Sequence, residues 1–149
     1  GLGDMWGTLP LLFDRRDVDG ERALQYRELR PNRDGKPVLL VNLTSQSSPF
    51  APGVAEKIMA HLEEFASKLF IVDISRLREN HFCNLLVLYE CAAGLITVDT
   101  STLHLARAAS LRSFQFVRQD HDATPIRDAS QPYSYTAFDK IDAFIGELK

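Results

Sequence analysis

The chain of 149 residues has little cysteine, methionine or tryptophan: two, two and one. Cys83 and Cys91 lie eight apart. That is neither a CxxC pair nor a disulfide framework, and a reducing, cytoplasmic setting fits it best. No apolar run reaches the roughly 18 residues of a membrane-spanning helix, so no membrane span is expected. The opening "GLGDMWGTLP" lacks the basic start and apolar core of a secretory signal. It begins with Gly rather than Met, which suggests a piece of a longer protein. Neither sign of charge is in excess: 17 Lys and Arg stand against 20 Asp and Glu, a net charge of −3. Such a balance carries no electrostatic footprint for nucleic acid or an anionic membrane. Local basic contacts to a small phosphate ligand stay open. Repeats and low-complexity tracts are absent.

What is present is an ordinary globular composition, 45% hydrophobic and 25% charged, enough for one domain with its own core. Residues 1–36 are the least regular part. The short apolar run "LPLLF", the charged "DRRDVDGER" and "RPNRDGK", and a short helix expected in "ERALQYREL" read as a lead-in or linker. The pattern sharpens over 37–149. "PVLLVNLT" is a continuous apolar run and reads as a buried strand. "VAEKIMAHLEEFASKL" places Val54, Ile58, His61, Leu62, Phe65 and Leu69 on one helical face. "LFIVDIS" is a second strand. "NHFCNLLVLYECAAG" reads as a second helix with Phe82, Leu85, Leu86, Tyr89 and Ala92 on one side and Gly94 as its stop. "LITVDT", "STLHLARAAS" and "SFQFVRQ" read as strand, helix and strand. Residues 120–138 read as loop, and "DKIDAFIGELK" as a closing amphipathic helix. Alternating strands and helices with near-continuous apolar strands predict an α/β fold, a three-layer Rossmann-like domain with a parallel sheet. Ligands of such sheets bind at the carboxyl ends of the strands.

The densest chemistry lies at one such end, in "TVDTSTLHLA". Asp99 ends the strand, and Thr100, Ser101 or Thr102 caps the next helix. The first turn of a helix leaves backbone N–H groups without partners, and these attract an anion. Small hydroxyl residues let a phosphate approach and can donate to it. Asp99 can hold the loop by accepting N–H bonds. His104, on the first helical turn, can face either a ligand or the sheet. A hydroxyl residue at a helix start is also, very often, only an N-cap.

The run Asp99, Thr100, Ser101, Thr102, His104, Leu105, Ala106 resembles the donor half of the heptosyltransferase-like glycosyltransferases, glycosyltransferase family nine. There a strand ends in Asp, followed by a hydroxyl turn and a His-Leu-Ala helix start. "NLLVLYECAAG" resembles the family's helix before that strand, and "PVLLVNLTSQSS" its first strand and phosphate-side loop. The likeness spans roughly residues 37–119. It implies one half of a two-domain GT-B enzyme that holds a nucleoside diphosphate sugar as substrate, with no cofactor; few carboxylates converge near the site, so these residues require no metal. Thr100–Thr102 would take the diphosphate, with Thr44 and Ser45 facing it from the opposite loop. Helix amides and hydroxyls would stabilise the departing diphosphate. In this plan an acceptor domain comes first and usually supplies the catalytic base, so no catalytic residue is assigned here. A chain of this length has no room for both halves. The chain also departs from the family's first loop, which often carries Gly and then Lys; "TSQSSPFAPG" has no Lys before Lys57. The alternative is a stand-alone, non-catalytic binding or interaction domain that kept the fold and lost the chemistry.

Other chemistries find less support. His81, Cys83, Cys91 and His104 match no zinc spacing, and both cysteines read as small core residues. Ser101 and His104 lack a nucleophile elbow. A receiver-type phosphoacceptor would need an acidic pair near the first strand, where "VLLVNL" offers Asn42 only. Asp73 then reads as a capping or loop residue. Arg76, Arg78, Arg107 and Arg118 are candidates for a phosphate contact without a motif to select among them. Tyr133, Tyr135 and Phe138 read as packing for the last helix.

Overall fold

The computed structural model describes residues 15–46, 49–79, 81–98, 100–117, 130–132 and 138–148. Five strands form one sheet: β1 (Val38–Asn42), β2 (Phe70–Asp73), β3 (Gly94–Val98), β4 (Ser113–Val117) and β5 (Ser130–Pro132). Their order is β2-β1-β3-β4-β5, and every pairing is parallel. The helices are α1 (Val18–Leu29), α2 (Val54–Glu63), α3 (Leu86–Cys91), α4 (Thr102–Ala108) and α5 (Phe138–Gly146). This is the three-layer Rossmann-like arrangement that the strand pattern predicts.

Alternation along each strand builds the two interior layers. Leu39 and Val41 of β1, Ile96 and Val98 of β3, and Phe114 and Phe116 of β4 meet Val54, Ile58 and Leu62 of α2 and Ile141, Phe144 and Ile145 of α5. Val38, Leu40, Val72 and Leu95 face the other way, onto Leu24 of α1, Leu86, Leu88 and Tyr89 of α3, and Leu105 and Ala106 of α4. Both β1 and β3 are buried at all five positions, which is why they read as unbroken apolar runs. The step from β1 to β2 runs one way across the sheet, and the step from β2 to β3 runs back past β1. Right-handed crossovers then require α2 and α3 on opposite faces, as observed. The strand order therefore reverses between β1 and β3, and a crevice opens there at their carboxyl ends.

Four details differ from the sequence reading. A fifth strand lies in the stretch read as loop, with Gln115, Phe116 and Val117 paired to Ser130, Gln131 and Pro132. Backbone pairing to β4 makes this strand, which has no apolar pattern of its own. The second helix is shorter than expected, a 3₁₀ turn Phe82–Leu85 leading into α3. Gly94 is not its stop: Ala92 is already extended and Gly94 opens β3. A Cβ at Gly94 would lie 2.8 Å from Leu148 Cδ2 and 3.1 Å from Phe144 Cζ, so glycine lets the end of α5 close onto the sheet. Both cysteines are exposed rather than core; Cys91 accepts a 3.0 Å contact from Gln25 Nε2.

Other expectations hold. The helix anticipated in "ERALQYREL" is α1, whose N-cap Asp17 accepts from Gly20 N. Its Leu24 is 1% exposed, worth about 2 kcal/mol of burial. Arg16 ties this helix down, bidentate to Glu21 at 2.7 and 2.6 Å and also bonded to Glu90 ahead of β3. On α2, Val54, Ile58 and Leu62 are buried. His61 on the same side stacks on Phe138 at 4.5 Å and meets Asp142 Oδ1 at 2.6 Å. Phe138 packs against the core, as anticipated; Tyr133 and Tyr135 lie outside the described residues.

Candidate functional site

The crevice between β1 and β3 holds a cleft of about 390 Å³ lined by Asn42, Thr44, Ser45, Gln46, Thr100 and Ser101. Its base is a buried polar network at the carboxyl ends of β1 and β3. Asn42 is the last residue of β1 and pairs in register with Thr97 of β3. Asn42 is 7% exposed and Thr97 fully buried. The Asn42 carboxamide oxygen accepts from Thr44 N at 3.2 Å and from Thr44 Oγ1 at 3.1 Å. Its Nδ2 faces Thr100 Oγ1 at 3.4 Å and Thr102 Oγ1 at 3.5 Å. Thr102 Oγ1 meets Thr100 Oγ1 at 2.6 Å and Thr97 Oγ1 at 3.1 Å. Thr97 donates to the Val98 carbonyl at 2.8 Å. One carboxamide thus joins the loop after β1 to the turn after β3, with buried polar atoms partnered as an apolar interior requires.

Next to this network lies Tyr89, 1% exposed. Burial pushes its phenol above the ordinary tyrosine range, while the nearby Thr102 hydroxyl works in the opposite direction. No fully formed hydrogen bond reaches the Tyr89 hydroxyl among the described residues.

The candidate residues fall into four groups. Thr44, Ser45, Thr100 and Ser101, from two loops far apart in sequence, come together on the cleft. Thr102 lies beneath it, 7% exposed, with its hydroxyl in the network. His104 is exposed on α4 and is not part of the lining. Asp99 and Arg118 lie outside the described residues. Ser101 is the N-cap of α4 without a side-chain cap bond; its carbonyl accepts from His104 N, and that of Thr100 from Leu103 N. Among the described residues, Asn42 and Gln46 also belong to the lining; they were not singled out by motif. Their signal was a polar residue ending an apolar strand, directly beside the one polar position inside "GLITV".

Asp73 is the loop organiser the sequence suggested. Its carboxylate accepts from Ser75 N and Oγ and pairs with Arg76 Nε at 2.9 Å. Among the described residues, no three His, Cys, Asp or Glu side chains gather as a metal site, and no helix is long and apolar enough to cross a membrane. Compared with protein-family models, curated proteins and solved structures, the chain matches none.

Proposed function

We propose that the chain is the donor half of a glycosyltransferase and that the β1–β3 cleft binds a nucleoside diphosphate sugar. One observation carries the reading: a polar cleft of about 390 Å³ lies where the strand order reverses, built from the loop after β1 and the turn after β3. Open parallel sheets bind nucleotides at that position, and the size falls within the ordinary range of small-molecule sites. Thr100 and Ser101, from the run similar to that of glycosyltransferase family nine, line one side of the cleft. The hydroxyl and amide groups of the lining orient the ligand without adding charge. The catalytic base would come from an acceptor domain elsewhere in a longer protein, and the reaction would be sugar transfer with the nucleoside diphosphate as leaving group.

A second reading, a non-catalytic binding or interaction domain, is favoured by the lining itself: among the described residues, none that lines it is charged. Isothermal titration of the whole chain with UDP, ADP and GDP and with their glucose esters separates the two. The donor reading expects saturable binding of at least one nucleotide, tighter for the sugar ester. No binding of any of them at millimolar concentration would sink it.

A further inference from the structure

We propose that Thr44 and Thr100 serve the cleft as hydrogen-bond acceptors, so that the ligand part lying on them is a hydroxyl-bearing sugar ring rather than the diphosphate; this rests on the nucleotide-sugar reading above. A proton count over the contacts among the described residues assigns a direction to each bond. A hydroxyl carries one proton and two lone pairs. The Val98 carbonyl can only accept, so the Thr97 proton lies on it, at 2.8 Å. The 3.1 Å contact between Thr97 and Thr102 then uses the proton of Thr102. With that proton spent, the 2.6 Å contact between Thr102 and Thr100 uses the proton of Thr100.

The other loop gives the same result. Thr44 N–H donates to the Asn42 side chain at 3.2 Å, which fixes that atom as the carboxamide oxygen. The Thr44 hydroxyl, 3.1 Å from the same oxygen, must also donate to it. Both threonines therefore spend their protons on the protein, and what each has left for a ligand is lone pairs. Among the described residues those of Thr100 meet two long contacts of 3.4 Å, from Asn42 Nδ2 and Thr102 N, longer than an ordinary N–H···O bond.

A phosphate oxygen brings lone pairs only. Set against Thr44 or Thr100 it would meet lone pairs, unless the threonine broke its inward bond and left an acceptor beneath it unfilled. A sugar hydroxyl brings the missing proton. The diphosphate then belongs at the Gln46 and Ser101 end of the lining, where an amide and a hydroxyl can donate. The ring hydroxyls on the threonines come from either the ribose or the transferred sugar.

The test is a coupling cycle read by isothermal titration on the whole chain. The ligands are UDP, ADP or GDP against its 2′,3′-dideoxy form, and the glucose ester against its 2-deoxyglucose form. The proteins are wild type, Thr44→Val, Thr100→Val and Thr100→Ser. In wild type, loss of ring hydroxyls should weaken binding on the order of tenfold in one ligand pair, and that pair tells ribose from transferred sugar. In the valine variants the same pair should differ by less than about twofold, and Thr100→Ser should recover the difference. A wild type indifferent to the ring hydroxyls in both pairs overturns the proposal, whatever the variants do. So does inorganic pyrophosphate binding that falls in the valine variants as far as nucleotide binding does. In either case nucleotide binding persists and only the orientation is refuted. If no nucleotide binds wild type, the donor reading fails and takes this one with it.

Discussion

Thr102→Val removes one oxygen from the centre of the polar network while keeping the side chain's shape. Thr102 is 7% exposed, and its hydroxyl makes two close contacts, 2.6 Å to Thr100 and 3.1 Å to Thr97, besides the long one from Asn42. Each close bond contributes about 1 kcal/mol net. The added methyl returns up to about 0.8 kcal/mol of burial. Thr97 keeps its acceptor, the Val98 carbonyl, so no buried donor is stranded there. Thr100 is half-buried and can turn its freed proton to solvent. The expected loss is therefore about 1–2 kcal/mol, a fall in Tm of roughly 2–8 °C for a domain of this size. Urea titration followed by far-UV circular dichroism reads it. Thr102→Ser should recover most of the loss, and Thr97→Val should couple to Thr102→Val by about 0.5–1 kcal/mol. A valine variant within about 0.3 kcal/mol of wild type would refute the network. A serine variant as unstable as the valine one would show that packing, not the hydroxyl, holds the position.

Three further outcomes follow from the fold. Arg16→Ala leaves the Glu21 carboxylate, 5% exposed, without its bidentate partner; we expect a loss of about 2–3 kcal/mol, short of a fully buried pair because Arg16 is partly solvated, and a denaturant midpoint unchanged from wild type would contradict it. Tyr89→Phe should be near neutral at pH 7, since among the described residues no hydrogen bond of normal length reaches the buried hydroxyl. With its phenol raised by burial, the native chain keeps a proton that the unfolded chain releases above about pH 10. Stability should fall as pH rises past that point, by up to about 1.4 kcal/mol per pH unit, and Tyr89→Phe should lose this part of the slope. Equal alkaline slopes in the two proteins would remove the buried phenol as its source. Gly94→Ala should cost about 1–2 kcal/mol through overpacking against Leu148 and Phe144, recovered in part by Leu148→Ala; a thermal melt that matches wild type would show that α5 does not close there.

Much of the fold was legible because parallel strands covered on both faces leave a strong mark: "VLLV" and "LITV" are apolar without a break. β5 left none, since Ser130, Gln131 and Pro132 are placed by main-chain pairing to β4, which hydropathy does not register. Gly94 was misread because a glycine after a helix usually ends it, whereas here the constraint comes from α5, some fifty residues later in the chain. The cysteines were assigned to the core by type, yet they fall on the exposed sides of the 3₁₀ turn and α3. At the cleft, strand-end logic pointed to Thr44, Ser45, Thr100 and Ser101, and all four lie on one lining. It could not show that Thr102 points inward, because three hydroxyls in a row look alike until one is seen beside Thr97. Asn42 was visible only as an absent acid, and its role in joining the two loops needed the register between β1 and β3.

The most direct measurement is the ¹H–¹⁵N amide spectrum of the labelled chain during titration with UDP, ADP and GDP and their glucose esters. Binding at the β1–β3 cleft requires the largest shifts at Asn42 to Gln46 and at Thr100 to Leu103, with α1 and the outer edge of β2 little changed. Shifts centred on α1 or β2, or no shifts up to millimolar nucleotide, would contradict the cleft as a nucleotide-sugar site.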